Sequence, residues 1–101
     1  MKTVCKTLLI FSLGIGSSVL ADSLVEGKNA LEHHEYSKAA EKFSQLCDDK
    51  NAQGCVELGK MNESGIGMAQ NKYAAATLYT RACTLGNPIG CANMGLSYDT
   101  P

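Results

Sequence analysis

The chain has 101 residues, of which 45% are hydrophobic and 19% charged, with nine Lys or Arg against ten Asp or Glu. This length leaves room for one small domain, and a core of that size commonly needs disulfides or a metal to support it. The positive charges form no basic block. Nucleic-acid binding needs clustered positive charge, so we expect no nucleic-acid partner.

Residues 1–21 have the pattern of a secretory signal peptide. Lys2 and Lys6 supply a positive end, an apolar segment covers residues 7–20, and Val19-Leu20-Ala21 provides small residues at a cleavage position. A membrane anchor is the alternative, but the apolar segment is shorter than the roughly 20 residues of a spanning helix. No Leu-x-x-Cys lipid-attachment pattern lies at the junction. The sequence therefore predicts a secreted protein, extracellular or periplasmic, that leaves the membrane after cleavage.

The cysteine count favours disulfides in the predicted mature chain. Cys5 would be removed with the signal, which leaves Cys47, Cys55, Cys83 and Cys91. An even set of cysteines in an oxidising compartment is typical of a disulfide framework. Four cysteines allow three pairings, and their number does not choose among them.

Residues 22–35 are predicted to form an N-terminal capping helix, with helical pattern over residues 24–34. His33 and His34 would be adjacent on this helix and would point in different directions. We expect them to be a solvated pair near a helix end, and not a metal or catalytic site.

The rest of the chain contains an internal repeat with an offset of 36 residues, the interval between Cys47 and Cys83. Many matches at one offset indicate stacked repeat units, which we place at residues 36–71 and 72–101, the second incomplete. The other matched pairs are Ala39 and Ala75, Ala40 and Ala76, Phe43 and Tyr79, Asn51 and Asn87, Gly54 and Gly90, Cys55 and Cys91, and Gly59 and Gly95.

Each unit is predicted to contain two helices. In the first helix of each unit, apolar residues recur at three- and four-residue steps and so share one face. Asn51 and Asn87 are suited to cap the second helix, and Pro88 fits a first helical position. Gly65 and Gly67 mark a connecting loop, because a phosphate-binding turn would need a preceding strand and a third glycine. The sequence therefore predicts an all-α fold of α/α helical-hairpin repeats.

The residues of the first unit resemble a known repeat family. The pattern Tyr-x-Lys-Ala-Ala-x-x-Phe-x-x-x-Cys begins at Tyr36, and Gly-Cys-x-x-Leu-Gly and a Gly-x-Gly loop follow it. This pattern resembles Sel-like repeats, which are relatives of the tetratricopeptide repeat. The cysteine pair in every unit, together with the signal, is similar to the Helicobacter cysteine-rich protein family. The resemblance covers roughly residues 24–99, and the chain looks like a short or truncated member because that family usually carries several repeats.

The resemblance implies a disulfide-stapled solenoid that binds peptides or host factors. It also implies penicillin binding and weak β-lactamase activity, with a β-lactam as ligand. No residue of this chain is assigned to that chemistry.

The predicted hairpin geometry selects one disulfide pairing. Cys47 lies in the last turn of one helix and Cys55 one turn into the next, so the two face each other near the closed end. Gly54 and Gly90 remove a side chain where the backbones approach. We therefore predict the bridges Cys47–Cys55 and Cys83–Cys91. The alternatives are a four-cysteine zinc site and a redox pair, which usually use Cys-x-x-Cys spacing, so we expect no metal and no cofactor.

The sequence contains no evident catalytic constellation. Ser-x-x-Lys is absent, and the acids are expected to be mostly solvated; they are Glu26, Glu32, Glu35, Glu41, Glu57 and Glu63. The tyrosines are candidate interface anchors, with Tyr79 assigned to the core; the others are Tyr36, Tyr73 and Tyr98. The function predicted from the sequence is a secreted protein- or peptide-interaction module, with a weak β-lactamase as the alternative.

Overall fold

The computed structural model of the protein describes residues 23–99, with side chains for residues 23–94. Within this part of the chain the regular structure is five helices and no strand, which confirms the all-α class. Helix α1 covers residues 23–32, and it is followed by α2 (Tyr36–Asp48), α3 (Ala52–Ser64), α4 (Lys72–Thr84) and α5 (Pro88–Asp99). The predicted signal peptide, residues 1–21, lies outside the described residues, as does Asp22, the first residue of the predicted N-terminal capping helix.

Helix α1 ends two residues earlier than the sequence predicts. His34 adopts a left-handed φ of 62°, its amide donates to the Leu31 carbonyl at 3.1 Å, and the Glu35 amide donates to the Ala30 carbonyl at 2.8 Å. A left-handed residue with these two backbone bonds terminates a helix. His33 and His34 therefore lie in a turn and not on the helix, and both are exposed, as expected.

The turns that close the two hairpins use the same backbone hydrogen bonds. The Asn51 amide donates to the Leu46 carbonyl, and the Asn87 amide donates to the Ala82 carbonyl, both at 2.9 Å. The residue before each asparagine is left-handed, with φ of 66° at Lys50 and 99° at Gly86. A lysine is strained in this conformation and a glycine is not, so the second turn is the less strained of the two.

The two asparagines also cap the helices that follow them. The Asn51 side-chain oxygen accepts from the Gln53 amide at 3.1 Å, and that of Asn87 accepts from the Ile89 amide at 2.8 Å. Each bond satisfies one of the free amides at a helix start. The capping role predicted for both asparagines is confirmed.

Close approach within each hairpin depends on one glycine. A Cβ atom on Gly54 would lie 2.7 Å from the Phe43 carbonyl oxygen, and one on Gly90 would lie 2.7 Å from the Tyr79 carbonyl oxygen. Both distances are too short for real atoms, so each hairpin requires a residue without a side chain here. The close approach of the backbones predicted at Gly54 and Gly90 is therefore confirmed.

Successive helices pack on one another, and two apolar clusters lie between them. The first cluster joins α1, α2 and α3, and its buried members are Ala30, Ala39, Phe43, Leu46 and Met61. The second joins α2, α3 and α4, with buried Cys47, Cys55, Val56 and Ala82. The apolar face predicted for α2 is thus the buried one.

An aromatic ring lies over a glycine at two of the helix contacts. A Cβ on Gly27 of α1 would lie 2.6 Å from Cε1 of Phe43, and a Cβ on Gly59 of α3 would lie 2.7 Å from Cε1 of Tyr79. Each ring therefore occupies the space that a side chain would fill. Phe43 and Tyr79 are both fully buried, which confirms that Tyr79 belongs to the core.

Candidate functional site

The structure pairs the cysteines as the sequence predicts. Cys47 is bonded to Cys55 and Cys83 to Cys91, and the Cα atoms are 4.6 Å apart in each pair. This separation is within the usual range for disulfides. Each bridge joins the last turn of one helix to the first turn of the next, so it fastens the hairpin at its closed end. None of the four sulfurs is a free thiolate that could bind zinc.

The two disulfides differ in burial although their geometry is the same. Cys47 is 2% exposed and Cys55 is fully buried, because Ala82 and Leu78 of α4 pack against them. In the second hairpin Cys83 is half-buried and Cys91 is exposed. The first disulfide is therefore part of the apolar core, and the second reaches the surface.

A buried tyrosine binds a carboxylate between α3 and α4. The hydroxyl of Tyr79 donates to Oε1 of Glu63 at 3.0 Å. Burial raises the pKa of Tyr79 above its usual value, and the hydrogen bond to Glu63 and the negative charges of Glu63 and Glu57 raise it further. The pair fixes the end of α3 against α4.

Two acids differ from the expectation that these side chains are solvated. Glu63 is half-buried and accepts the Tyr79 hydroxyl, and the Glu57 side chain is only 12% exposed. Glu57 accepts from the Gln53 amide group at 2.7 Å and lies 3.7 Å from the Lys60 ammonium. The other four acids are exposed, as expected: Glu26, Glu32, Glu35 and Glu41.

Exposed residues of α2 and α4 lie on the sides of these helices that an ion pair joins, and we call them the α2–α4 surface. They are Glu41, Gln45 and Asp48 on α2 and Tyr73, Thr77 and Arg81 on α4, and in each helix their three- and four-residue spacing places them on one side. The Arg81 guanidinium lies 3.7 Å from the Asp48 carboxylate and joins the two helices. Tyr73 is 84% exposed, the highest value among the large hydrophobic side chains of the described segment. This surface therefore combines an exposed ring with carboxylates, hydroxyls and a guanidinium.

The remaining candidate anchors lie elsewhere. Tyr36 is half-buried, and its ring stacks on His34 with the ring centroids 5.6 Å apart. Tyr98 is on α5, beyond the last residue with a described side chain. Among the predicted anchors with a described side chain, Tyr73 thus has the exposure that an anchor needs.

The described side chains bring together no recognisable catalytic group. His33 Nδ1 contacts the Asn29 carbonyl at 2.7 Å, and no hydrogen bond within residues 23–94 links a serine to a histidine or a lysine. That part of the chain also holds no cluster of three or more His, Cys, Asp or Glu suited to a metal ion. The β-lactam hydrolysis implied by the resemblance stays a prediction without assigned residues.

Comparison of the chain with protein-family models, with curated proteins and with solved structures finds no match. Two disulfides are typical of an oxidising compartment outside the cytoplasm. None of the helices in the described region has the length and apolar character needed to cross a membrane.

Proposed function

We propose that the protein is an exported, disulfide-stapled repeat module that binds peptide segments of other proteins through the α2–α4 surface. In this proposal the two hairpins are successive units of a solenoid related to Sel-like and tetratricopeptide repeats. Stacked helical hairpins offer an extended surface for such binding.

The repeat assignment is supported by contacts that recur at the 36-residue offset. The disulfides, the asparagine caps and the glycine contacts inside each hairpin involve corresponding residues in both halves. Each of these contacts is set by local sequence. A duplicated hairpin unit would have the same local contacts in both of its copies.

The observation that carries the binding proposal is the exposure of Tyr73 on a rigid helix. Tyr73 is 84% exposed at the start of α4, where the Asn71 side chain caps the helix by accepting from the Ala74 amide at 2.9 Å. Tyrosine is enriched at the centres of protein interfaces, because its ring contributes apolar area and its hydroxyl a hydrogen bond. The polar side chains beside it would pair with the backbone and side chains of a bound peptide.

The test is selection of peptides against the mature protein, followed by titration of individual peptides. A displayed library of random 12-residue peptides would be panned on the immobilised protein, and selected peptides would be titrated by fluorescence anisotropy. We expect saturable binding that weakens roughly tenfold or more in the Tyr73→Ala variant, as for an interface anchor.

Val25→Ala is the matched control, because Val25 is 55% exposed on α1, outside the α2–α4 surface. That variant should bind the selected peptides as the original protein does. A library that yields no saturable peptide would refute the proposal. Equal binding by the Tyr73→Ala and Val25→Ala variants would show that Tyr73 is not part of the binding site.

A further inference from the structure

The second disulfide is open to reagents that the first excludes. Cys91 is exposed and Cys83 is half-buried, whereas Cys47 is 2% exposed and Cys55 is fully buried beneath α4. Thiol–disulfide exchange begins when a thiolate reaches one of the two sulfurs, so access to a bridge controls how fast it is reduced. A thiolate can therefore attack the second bridge in the folded protein, but it reaches the first only after α4 moves away.

The first half of α5 also depends more on its bridge than α3 does. Helix α3 buries Cys55, Val56 and Met61 in the two apolar clusters. Within residues 88–94, the part of α5 with described side chains, Gly90 alone is buried and neither cluster has a member. Because glycine has no side chain, its burial removes little apolar area from water. The bridge therefore supplies a large part of the attachment of this segment to α4.

The contact of Gly90 with α4 couples α5 to the packing of α4. A Cβ atom on Gly90 would lie 2.7 Å from the Cβ atom of Ala82, which is fully buried. Ala82 also belongs to the apolar cluster that contains the first bridge. The next residue back along α4 is Arg81, which lies 3.7 Å from Asp48 and is part of the α2–α4 surface. Release of α5 would thus uncover Ala82 and loosen the end of α4 that carries Arg81.

We propose that the Cys83–Cys91 bridge is a redox switch, which a dithiol opens while Cys47–Cys55 stays closed. Opening the bridge releases α5 and lowers the affinity of the α2–α4 surface for peptides, so the oxidised protein is the binding form. The loss of peptide affinity rests on the function proposed for that surface, whereas selective reduction and the release of α5 do not.

The reaction is thiol–disulfide exchange with a dithiol, either a small molecule or paired thiols of another protein. One thiolate of the dithiol attacks Sγ of Cys91, the more exposed cysteine, and the bond to Cys83 breaks. Cys83 leaves as a thiolate and takes up a proton. The second thiol of the reductant then loses its proton and attacks the mixed disulfide, which frees Cys91 and leaves the reductant as a disulfide. Two electrons and two protons thus pass from the dithiol to the bridge.

The expected effect on α5 follows from the loop that the bridge closes. Its cysteines are eight positions apart. In the loop-entropy model, opening such a loop raises the equilibrium constant for detachment of α5 roughly 50- to 100-fold. Helix α5 has 12 residues, and an isolated helix of that length is only marginally stable in water, so the detached segment should unfold.

Selective reduction is tested by equilibrating the mature protein in buffers with set ratios of reduced to oxidised dithiothreitol. Free thiols are then alkylated with N-ethylmaleimide and located by mass spectrometry. We expect Cys83 and Cys91 to be half-reduced at a ratio roughly five- to thirtyfold lower than Cys47 and Cys55, whose sulfurs also have core contacts to lose. Half-reduction of both bridges at one ratio would overturn the proposal.

Release of α5 is tested by amide hydrogen exchange of the protein alkylated at the second bridge alone. Exchange in residues 88–94 should be about tenfold faster or more than in the oxidised protein, while α1, α2 and α3 keep their protection. The Cys83→Ser/Cys91→Ser variant is the control for the alkyl groups and should show the same pattern. Unchanged exchange in α5, or loss of protection in all helices, would overturn the proposal.

The effect on binding is tested with peptides selected on the oxidised protein. We expect these peptides to bind the alkylated protein and the serine variant about fivefold more weakly or less, because fewer molecules hold α4 in its binding position. Protein that is reduced and then reoxidised with oxidised glutathione should regain full affinity. Equal affinity of the oxidised and open forms would overturn the switch. If no peptide binds the oxidised protein, the function proposed for the α2–α4 surface fails and this last step with it, whereas the reduction ratios and the exchange of α5 still decide the rest.

Discussion

The α2–α3 hairpin and the α4–α5 hairpin are closed by the same contacts but have different surroundings. Each has a disulfide with a Cα separation of 4.6 Å, a capping asparagine and a glycine where the helices meet. Helix α4 covers the first disulfide, whereas Cys91 of the second is exposed. Local sequence therefore closes each hairpin, while the neighbouring helix decides whether its disulfide belongs to the core.

A disulfide contributes to stability both by closing a loop and by burying its sulfurs, and the two bridges differ in the second contribution. In both bridges the cysteines are eight positions apart in the sequence. The loop-entropy model therefore assigns each the same contribution, roughly 2.5 kcal/mol. Apolar burial is added only at the first bridge, where Cys47 and Cys55 pack in the second apolar cluster. The two bridges should thus differ in the effect of removal and in the ease of reduction.

The largest expected effect is that of reducing both bridges together. Their combined contribution, about 5 kcal/mol, is comparable to the whole stability of a small domain. We expect the mature chain to lose its helical circular dichroism near 25 °C in excess dithiothreitol. A melting curve that reduction leaves unchanged would contradict any stabilising role for either hairpin's bridge.

Removing the bridges one at a time should give unequal losses. Replacing Cys83 and Cys91 by alanine should lower the free energy of unfolding by roughly 2.5 kcal/mol, through loop entropy alone. Replacing Cys47 and Cys55 should cost about 1–2 kcal/mol more, because two buried sulfurs are also lost from the core. Urea unfolding followed by circular dichroism measures both losses, and equal losses would contradict an added contribution from burial of the first bridge.

A glycine-to-alanine substitution on α3 should weaken the packing of α3 on α4. In Gly59→Ala the new Cβ meets the Tyr79 ring, and overpacking of this kind costs about 1–3 kcal/mol, partly offset by the better helix propensity of alanine. A thermal melt of the variant checks this, and an unchanged or higher melting temperature would contradict close packing of the Tyr79 ring on Gly59.

The smallest expected loss of stability is that of replacing Tyr79 by phenylalanine, the residue type of its counterpart Phe43. Tyr79→Phe removes the hydrogen bond to Glu63, which should cost about 1 kcal/mol at pH 8.

The same substitution should change how stability depends on pH. The pKa of Tyr79 is raised in the folded state, so above about pH 10 the unfolded chain loses this proton while the folded chain keeps it. The free energy of unfolding of the original protein should therefore fall as pH rises above 10, by up to about 1.4 kcal/mol per pH unit from this group. The Phe variant lacks that contribution. Urea titrations at pH 8 and 10.8 test this, and the same pH dependence in both proteins would contradict it.

Features set by local sequence could be predicted before the structure. The helices follow from the three- and four-residue apolar spacing, and the bridge pairing from the position of each cysteine beside a short turn. The caps at Asn51 and Asn87 likewise depend on residues two positions away. The helices, bridges and caps depend on residues within one hairpin, so they could be predicted almost completely from the local sequence.

Features that depend on contacts between hairpins were missed. The bond from Tyr79 to Glu63 spans 16 residues and exists because α4 packs on α3. The change from Phe43 to Tyr79 at matched positions held a signal for it, because a buried tyrosine hydroxyl usually finds a hydrogen-bond partner. The end of α1 was also missed, because the left-handed conformation at His34 is one that histidine adopts only uncommonly. The exposure of Cys91 likewise depends on contacts beyond its own hairpin. Helix α4 packs against Cys55 of the first hairpin, and the sequence pattern of the second hairpin does not show whether Cys91 has a similar cover.

The protection of the first bridge by α4 is tested by partial reduction of the native mature protein, followed by alkylation and mass mapping of the labelled cysteines. Cys83 and Cys91 should be labelled together and at least tenfold faster than Cys47 and Cys55, which should react only as the α4 cover opens. Labelling of all four cysteines at one rate, faster labelling of Cys47 and Cys55, or a bridge found between the two hairpins would contradict it.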